Sequence, residues 1–544
     1  MEPNNHQLLI PEDPPTKHGN TTTPHFASIM SEAQIATENE QRMTLWQGIR
    51  LYPRAIAWSM VISMAVVMEG FDNALIGSFY AFPAFQRKYG QQLPDGSYGL
   101  SAPWQAGLSG AVNAGQVLGL LLNGWLSERL GYQKTMVAAL SVTIALVPLL
   151  VFAETKQMLL AGEFLLGFPL GIFQTLTTAY ASEVCPVVLR SFLTIYVNLS
   201  WVMGQLLALS VLKGLVGNAT EWSYKIPFII EWAWPALLLG VVVFAPESPW
   251  WHVRHNSPQK ALYSLQRLLG KGASVEFDAK KTVSMMVHTN EIEKSMSAGT
   301  SYLDCFRGVD SRRTFITCLV TTSQALCGAG LMAYSTYFYL QAGLSTDVSF
   351  SLSAAQYSIG FVATILSLSL VSCFGRRRIF VAGLLALTVI LSIIGLLAVG
   401  GDGPGISLAT GFGLLVFVFA YNWTVGAPGY VLVSEMSSTR LRSKTLVISR
   451  ASYNVLGIVN SVIIPYMLNP TALNWKGKTG FFFAGLCFLC ALLCFFFLPE
   501  TKGRTYAELD ILFEKGVDAR GFKDAIADPF SHALGEPFPE KGRH

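Results

Sequence analysis

The sequence predicts an all-α membrane protein: twelve transmembrane helices in two parallel six-helix halves. Three observations predict it, namely scarce charge, twelve long apolar runs, and a set of motifs that recurs halfway along the chain. Of 544 residues, 51% are hydrophobic and only 13% charged, and the mean hydropathy is +0.42. An ordinary soluble domain is about 25% charged, so this chain has too little charge to cover the several domains its length would make. An ordinary soluble enzyme and a disordered chain are thereby excluded. A net charge of +4 is too small to suggest a nucleic-acid partner. The eight cysteines are no disulfide framework. Cys487 and Cys490 form a Cys-x-x-Cys, but within a Phe and Leu run, where lipid-side packing is expected rather than a metal, which needs more ligands nearby.

A spanning helix needs about 20 mostly apolar residues. Such runs start near Ala57, Pro103, Thr135, Met158, Ser191 and Ile226, and again near Thr314, Ser351, Ile379, Leu408, Thr445 and Gly480. Gly and Pro interrupt the fourth and tenth, which neighbouring helices can accommodate. The runs divide the chain into a polar tail expected to be disordered (1–52), a first half (53–245), a central loop rich in Lys and Arg with short amphipathic helices (246–313), a second half (314–498) and a polar tail (499–544). The first tail has no charged-then-apolar signal pattern. Arg376, Arg377 and Arg378, and then Arg440, Arg442 and Lys444, follow even-numbered spans. The positive-inside rule puts those loops, and with them both tails, in the cytoplasm. Arg87, Lys88, Lys476 and Lys478 fall outside, so the bias is clear but incomplete. Asn218, in Asn-Ala-Thr, then falls outside as a glycosylation acceptor, whereas Asn20 stays inside.

The two halves echo each other. Glu183 and Arg190 follow the fourth span, and Glu435, Arg440 and Arg442 follow the tenth, 252 residues on. Pro246-Glu247-Ser248-Pro249 ends the sixth, and Pro499-Glu500-Thr501-Lys502 ends the twelfth, 253 residues on. Gly131 after Glu128-Arg129 is matched by Gly375-Arg376-Arg377, 244 residues on. Parallel repeats of this kind place a binding site between the halves, which rock to open it to each side in turn. Carboxylates and arginines at adjoining helix ends make charge-assisted hydrogen bonds. Glu128, Arg129, Glu183, Arg190, Arg376, Arg377, Glu435 and Arg442 are therefore expected to form a conformational latch on the cytoplasmic face.

Four carboxylates lie inside apolar runs: Glu69, Asp72, Glu163 and Glu231. An intramembrane acid is costly and points to function. Glu69 and Asp72 are three apart and share a helix face. Two carboxylates on one face repel, and desolvation disfavours their charged forms, the condition a proton carrier needs. The first-half spans offer almost no basic partner and no span holds a histidine, so Glu69, Asp72 and Glu163 are the proton-coupling candidates. Glu231 is open between a substrate contact and a residue at lipid-headgroup level.

These motifs together resemble the sugar porter family of the major facilitator superfamily, from Gly124-x-x-x-Glu128-Arg129-x-Gly131 to Pro499-Glu500-Thr501-Lys502-Gly503-Arg504. Met68-Glu69-Gly70-Phe71-Asp72, Phe82-Pro83-Ala84-Phe85-Gln86, Trp222-Ser223-Tyr224-Lys225-Ile226-Pro227 and Tyr466-Met467-Leu468-Asn469-Pro470-Thr471 are similar to the fungal maltose permease branch, the α-glucoside:proton symporters. The resemblance implies the major facilitator fold, no cofactor and no metal, with a sugar or glycoside, protons and the bilayer as partners and no oligomer required. It implies a plasma-membrane location. It points to Gln205, Gln324, Tyr334, Tyr430 and Asn454 as substrate-binding residues, an interhelical hydrogen bond being the alternative for each.

The chain departs from its apparent relatives where the cavity should be. The usual amide pair of the seventh span is Gln324-Ala325, Asn422 and Ala427 replace Asp and Pro, Leu368 replaces a Trp, and Gln116 stands where some relatives have Glu. Proton-coupled import of an α-glucoside is the expectation. A transporter of a non-sugar or glycosylated fungal metabolite, inward or outward, is the alternative, and a non-transporting sugar sensor a third. No nucleophile–base pair, metal cluster or phosphate loop argues for an enzyme.

Overall fold

The computed structural model describes residues 43–525 apart from 93–95, 271–278, 298–300, 402, 439–440, 503, 505 and 524. The tails before 43 and after 525 lie outside the described residues. Residues 43–52, expected to belong to a disordered tail, are instead structured. Leu45–Leu51 is a helix whose Thr44 cap and Gln47 bond each other reciprocally. Tyr52 is buried, and the Leu51 carbonyl accepts the Gly270 N–H at 3.0 Å, which ties this helix to the central loop.

Twelve long helices follow among the described residues. The first six are Pro53–Phe79, Ala102–Leu130, Tyr132–Val151, Lys156–Val184, Val187–Leu215 and Trp222–Val242. The second six are Gly308–Ala333, Thr346–Cys373, Arg376–Val399, Gly405–Met436, Arg442–Leu468 and Thr479–Phe497. Eleven are long and apolar enough to cross a membrane. The second has 29 residues but lacks the apolarity, because Gln105, Gln116 and Asn123 are built into it. All three are buried, so these groups meet protein rather than lipid. Between the halves lie Pro249–Arg254, Pro258–Leu268 and Ala279–Ser297. Pro258–Leu268 buries Ala261, Leu265 and Leu268, the one-sided stripe of an amphipathic helix. The end of the bundle carrying these helices is the loop end, and the opposite one the far end.

The packing reproduces the sequence repeat. The first span packs on the fifth as the seventh does on the eleventh; the second on the fourth as the eighth on the tenth; the third on the sixth as the ninth on the twelfth. Between the halves the second packs on the eleventh and the fifth on the eighth, the exchange that a two-fold axis requires. Cys487, Cys490 and Cys494 are all buried, a correction to the lipid-side expectation. They fall on the packed stripe of the twelfth span, where the Cys487 thiol donates to the Leu384 carbonyl of the ninth at 3.2 Å.

Two spans are broken at matching places, Ala325–Ala329 in the seventh and Asn422–Gly426 in the tenth, where one π turn interrupts the helix. Such turns free carbonyls, and side-chain amides take them. Asn460 of the eleventh span donates to the Ala325 carbonyl at 2.9 Å, and Gln324 to those of Val425 and Gly426 at 3.1 and 2.8 Å. Gly328 sits in the first break at φ +96°, a conformation closed to most side chains.

Small residues bring the second and fourth spans into backbone contact. A Cβ on Gly119 would lie 2.0 Å from the Phe168 carbonyl oxygen, and one on Gly171 would lie 2.2 Å from that of Gln116. Close approach through glycine is the usual basis of helix packing in lipid, and here it sets Gln116 beside the fourth span. Gly119→Ala is expected to cost about 1–3 kcal/mol by forcing the helices apart, read as a lowered thermal midpoint in detergent. Gly214→Ala, which meets nothing within 4 Å, should not lower it.

Candidate functional site

A cavity opens between the halves, lined by residues of both. The first, second, fourth and fifth spans supply Glu69, Asp72, Gln116, Gln174 and Gln205; the seventh, tenth and eleventh supply Gln324, Tyr334, Tyr430, Arg450 and Asn454. A chain of amide hydrogen bonds crosses it. Gln174 donates to the Glu69 carboxylate at 2.6 Å, and Asn454 of the other half donates to the Gln174 oxygen at 3.2 Å.

The four interior carboxylates fall into two environments. Glu69 faces the cavity and has Gln174 as its donor. Asp72 also lines the cavity, but neither of its oxygens has a hydrogen-bond partner. Behind it, Glu163 and Glu231 are equally buried and equally unpartnered, and Glu163 lies within electrostatic reach of both Asp72 and Glu231. The helix face thus pairs Glu69 with Asp72, while tertiary packing of the first, fourth and sixth spans makes an acid cluster of Asp72, Glu163 and Glu231. Glu231 is 2% exposed, so the headgroup-level alternative is corrected: its span turns it into the first half.

The expected substrate residues all line the cavity, but their polar groups are used differently. Gln205 is buried with its amide nitrogen unpartnered. Asn454 uses its nitrogen on Gln174 and leaves its oxygen unpartnered. Tyr334 stacks on Tyr80 with ring centroids 5.9 Å apart. Tyr430 lies under the Arg450 guanidinium, 4.1 Å from its carbon. Gln324 is the exception, because its amide donates to the carbonyls freed in the tenth span.

Three of the expected latch residues, Glu183, Arg376 and Glu435, fall in two hubs, one per half. Glu183 accepts from Tyr132 at 2.8 Å, pairs with Arg254 at 2.9 Å and accepts from Ser248. Glu247 accepts the N–H groups of Tyr132 and Gln133 at 2.9 and 3.1 Å, capping the third span. In the second half Glu435 pairs with Arg376 at 3.6 Å and accepts from Thr501, while Glu500 accepts the Arg376 N–H at 2.8 Å. Burial raises the Glu247 carboxyl above its ordinary value, and its three backbone donors pull it back. The reason for this grouping is local: the start of a helix leaves N–H groups unsatisfied and favours an anion. Arg190 and Arg377 donate to the Ser182 and Phe495 carbonyls of their own halves. Glu128 is exposed, and Arg129 lies over the Trp125 ring at 4.6 Å. At the far end, Lys213 of the fifth span pairs with Asp347 of the eighth, across the halves. The Arg442 side chain lies outside the described residues. Asn218 is exposed, with its side-chain oxygen accepting from Thr220 at 2.9 Å.

Sequence reasoning missed Gln174 and Arg450. Both had a signal. Gln174 follows Glu163 by eleven residues, three helical turns, and Arg450, Asn454, Gly457 and Ser461 form a stripe at steps of three and four.

A family model described as "Sugar (and other) transporter" matches residues 58–513. The chain is 40% identical over 505 residues to the general alpha-glucoside permease of Saccharomyces cerevisiae, covering 92% of this chain and 82% of that protein. It is 40% identical over 531 residues to maltose permease MAL31 of the same yeast, covering 96% and 86%. Among solved structures it is similar to the proton:xylose symporter XylE bound to 6-bromo-6-deoxy-D-glucose, with TM-score 0.70 and 21% identity over 85% of this chain and 99% of that one. It is also similar to XylE from E. coli in an inward open conformation, with TM-score 0.66 and 21% identity over 84% and 99%. At this identity the likeness to XylE concerns the fold alone.

If each hub holds its own half together, Glu247→Ala and Glu500→Ala should each destabilise the protein by about 1–3 kcal/mol, the cost of orphaned buried N–H groups. Their effects on thermal unfolding in detergent should add, since the two sites share no partner.

Proposed function

Because the chain belongs to the sugar (and other) transporter family, we propose that it is a multi-pass membrane carrier that imports an α-glucoside of the maltose type together with protons, by alternating access. The observation that carries this reading is the pair Glu69 and Asp72 on the wall of a cavity shared by two symmetry-related halves. A substrate in that cavity touches the coupling acids and both moving bodies at once, as coupled transport requires. The name of the 40%-identical yeast relatives supplies the substrate class.

In this reading Asp72 and Glu163 accept protons, with Glu231 as a third carboxyl of their cluster, and Glu69 couples protonation to the cavity. Gln205 and Asn454, each with an amide atom unspent in the protein, meet sugar hydroxyls; Tyr334 and Tyr430 offer aromatic faces to the sugar's C–H surface. The loop end faces the cytoplasm, both chain ends lie there, and the plasma membrane holds the protein. One observation favours a second reading, a metabolite with fewer hydroxyls: Gln324 has spent its donors on the tenth span, and its neighbour is Ala325.

Uptake of maltose, trehalose and glucose in a sugar-transport-null yeast, with and without a protonophore, separates these readings. Maltose or trehalose accumulation that collapses with the proton gradient is expected; accumulation indifferent to the gradient refutes symport, and no uptake of any panel sugar favours the metabolite. Asp72→Asn should lower accumulation about tenfold or more, as loss of one coupled proton would at an ordinary membrane potential, while surface delivery persists. For orientation, endoglycosidase treatment should shift the mobility of the wild type and leave Asn218→Gln unchanged. An unshifted wild type argues against an outside position for this loop.

A further inference from the structure

The twelfth span has two sides. One is packed and holds the buried Cys487, Cys490 and Cys494; the other carries Phe488, Leu492, Phe495 and Phe496 at steps of three and four, all exposed. At the loop end of this exposed stripe two guanidiniums sit on one ring. The Arg377 carbon, from the start of the ninth span, is 5.6 Å from the Phe495 centroid. The Arg520 carbon, from the segment after the twelfth span, is 4.7 Å from the same centroid and 5.1 Å from that of Phe496. The two cations lie within electrostatic reach of each other and repel. An aromatic face attracts each of them modestly but supplies no counter-charge. The carboxylate in reach of Arg377 is Glu500, and it accepts the N–H groups of Arg376, Thr501 and Lys502 at 2.8, 3.2 and 3.2 Å. Arg377 donates to the Phe495 carbonyl at 2.7 Å and leaves its Nε buried without a partner. Arg520 is exposed, and among the described residues its guanidinium has no hydrogen-bond or ion-pair partner. Each guanidinium has five donors, so most of both forks are unspent. The segment carrying Arg520 is itself fastened to the second half. Asp510 pairs with Arg313, Phe522 is buried, and Arg504 donates to the Phe522 carbonyl at 3.0 Å.

We propose that Arg377 and Arg520 form a binding site for the headgroup of an anionic phospholipid, whose acyl chains run along the Phe488, Leu492 and Phe496 stripe. A phosphate at the two forks accepts charge-assisted N–H···O bonds, for which the planar guanidinium is suited. Its negative charge turns the repulsion between the two arginines into two attractions. The apolar stripe continuous with the forks selects a lipid over a soluble phosphate: the molecule that fills both parts has a phosphate at one end and hydrocarbon at the other. Basic pockets at span ends are a recurrent form of headgroup site. The general excess of basic residues beside spans does not require two of them on one ring. Arg378 is a case of that general excess, exposed and without a partner among the described residues. A headgroup held at both forks ties the segment after the twelfth span to the start of the ninth.

The test titrates the purified full-length protein in detergent with phosphatidylglycerol, with phosphatidylcholine, whose choline offsets the phosphate charge, and with inorganic phosphate. It reads the thermal midpoint and, by native mass spectrometry, the lipid retained per folded protein. Phosphatidylglycerol should raise the midpoint by about 2 °C or more, as a ligand well above its Kd does, and should be retained. The other two probes at the same concentration should do neither. Arg520→Gln should remove most of the shift and of the retained lipid while changing the lipid-free midpoint little, because its side chain is exposed. Arg520→Lys, which keeps the charge without the fork, should keep part of the shift, and Arg378→Gln should keep all of it. An equal response to phosphatidylcholine overturns the anionic headgroup, and an equal response to inorganic phosphate overturns the lipid. A phosphatidylglycerol response that survives Arg520→Gln, or that Arg378→Gln removes as fully, overturns the site, as does a wild type that neither shifts nor retains the lipid. Should Arg520→Gln fold less well, lipid retained per folded protein decides the outcome.

Discussion

A charge taken out of water must be neutralised or matched, and the interior of this protein is organised around that requirement. Four carboxylates lie inside the spans of the first half and the Arg450 guanidinium inside a span of the second, with the cavity between them. Each half alone carries mid-membrane charge of one sign; the two halves together bring Glu69 and Arg450 into electrostatic reach of each other. Helix packing between the halves therefore has an electrostatic consequence that neither half has by itself.

The same economy of charge governs the loop end. Glu183 with Glu247 at the start of the central loop, and Glu435 with Glu500 at the start of the following tail, satisfy helix N-termini and nearby arginines. These hubs tie neighbouring helix ends of each six-helix half together. Stiff halves are what rocking requires, since a lever that bends transmits nothing to the other end. The π turns of the seventh and tenth spans lie beside the cavity, where Gln324 and Asn460 complete the broken backbone pairing. Gln324 illustrates how one side chain can be claimed by architecture before a ligand reaches it.

Much of the fold was legible because its causes are local or periodic. Apolar runs of about 20 residues follow from the thickness of the bilayer, and the repeat was readable because both halves put the same acid and small residue at the same helix ends. The second span was read as apolar although it carries buried amides; a run count does not separate a lipid-facing helix from one shielded on both sides. The tail helix at Leu45–Leu51 was missed although Thr44 and Gln47 mark its start; it packs against the fifth span and bonds Gly270, both remote in sequence.

The sequence by itself determined that the chain spans a membrane in two related halves and that four carboxylates lie inside its apolar runs. Those conclusions need composition, spacing and periodicity, and nothing more. Tertiary structure decided the partners. Asp72 belongs with Glu163 and Glu231, Glu69 with Gln174 and Arg450, and the helix-end acids with their own halves. Pairing energies in a dry interior depend on distances between residues remote in sequence, and only the packed helices fix those distances.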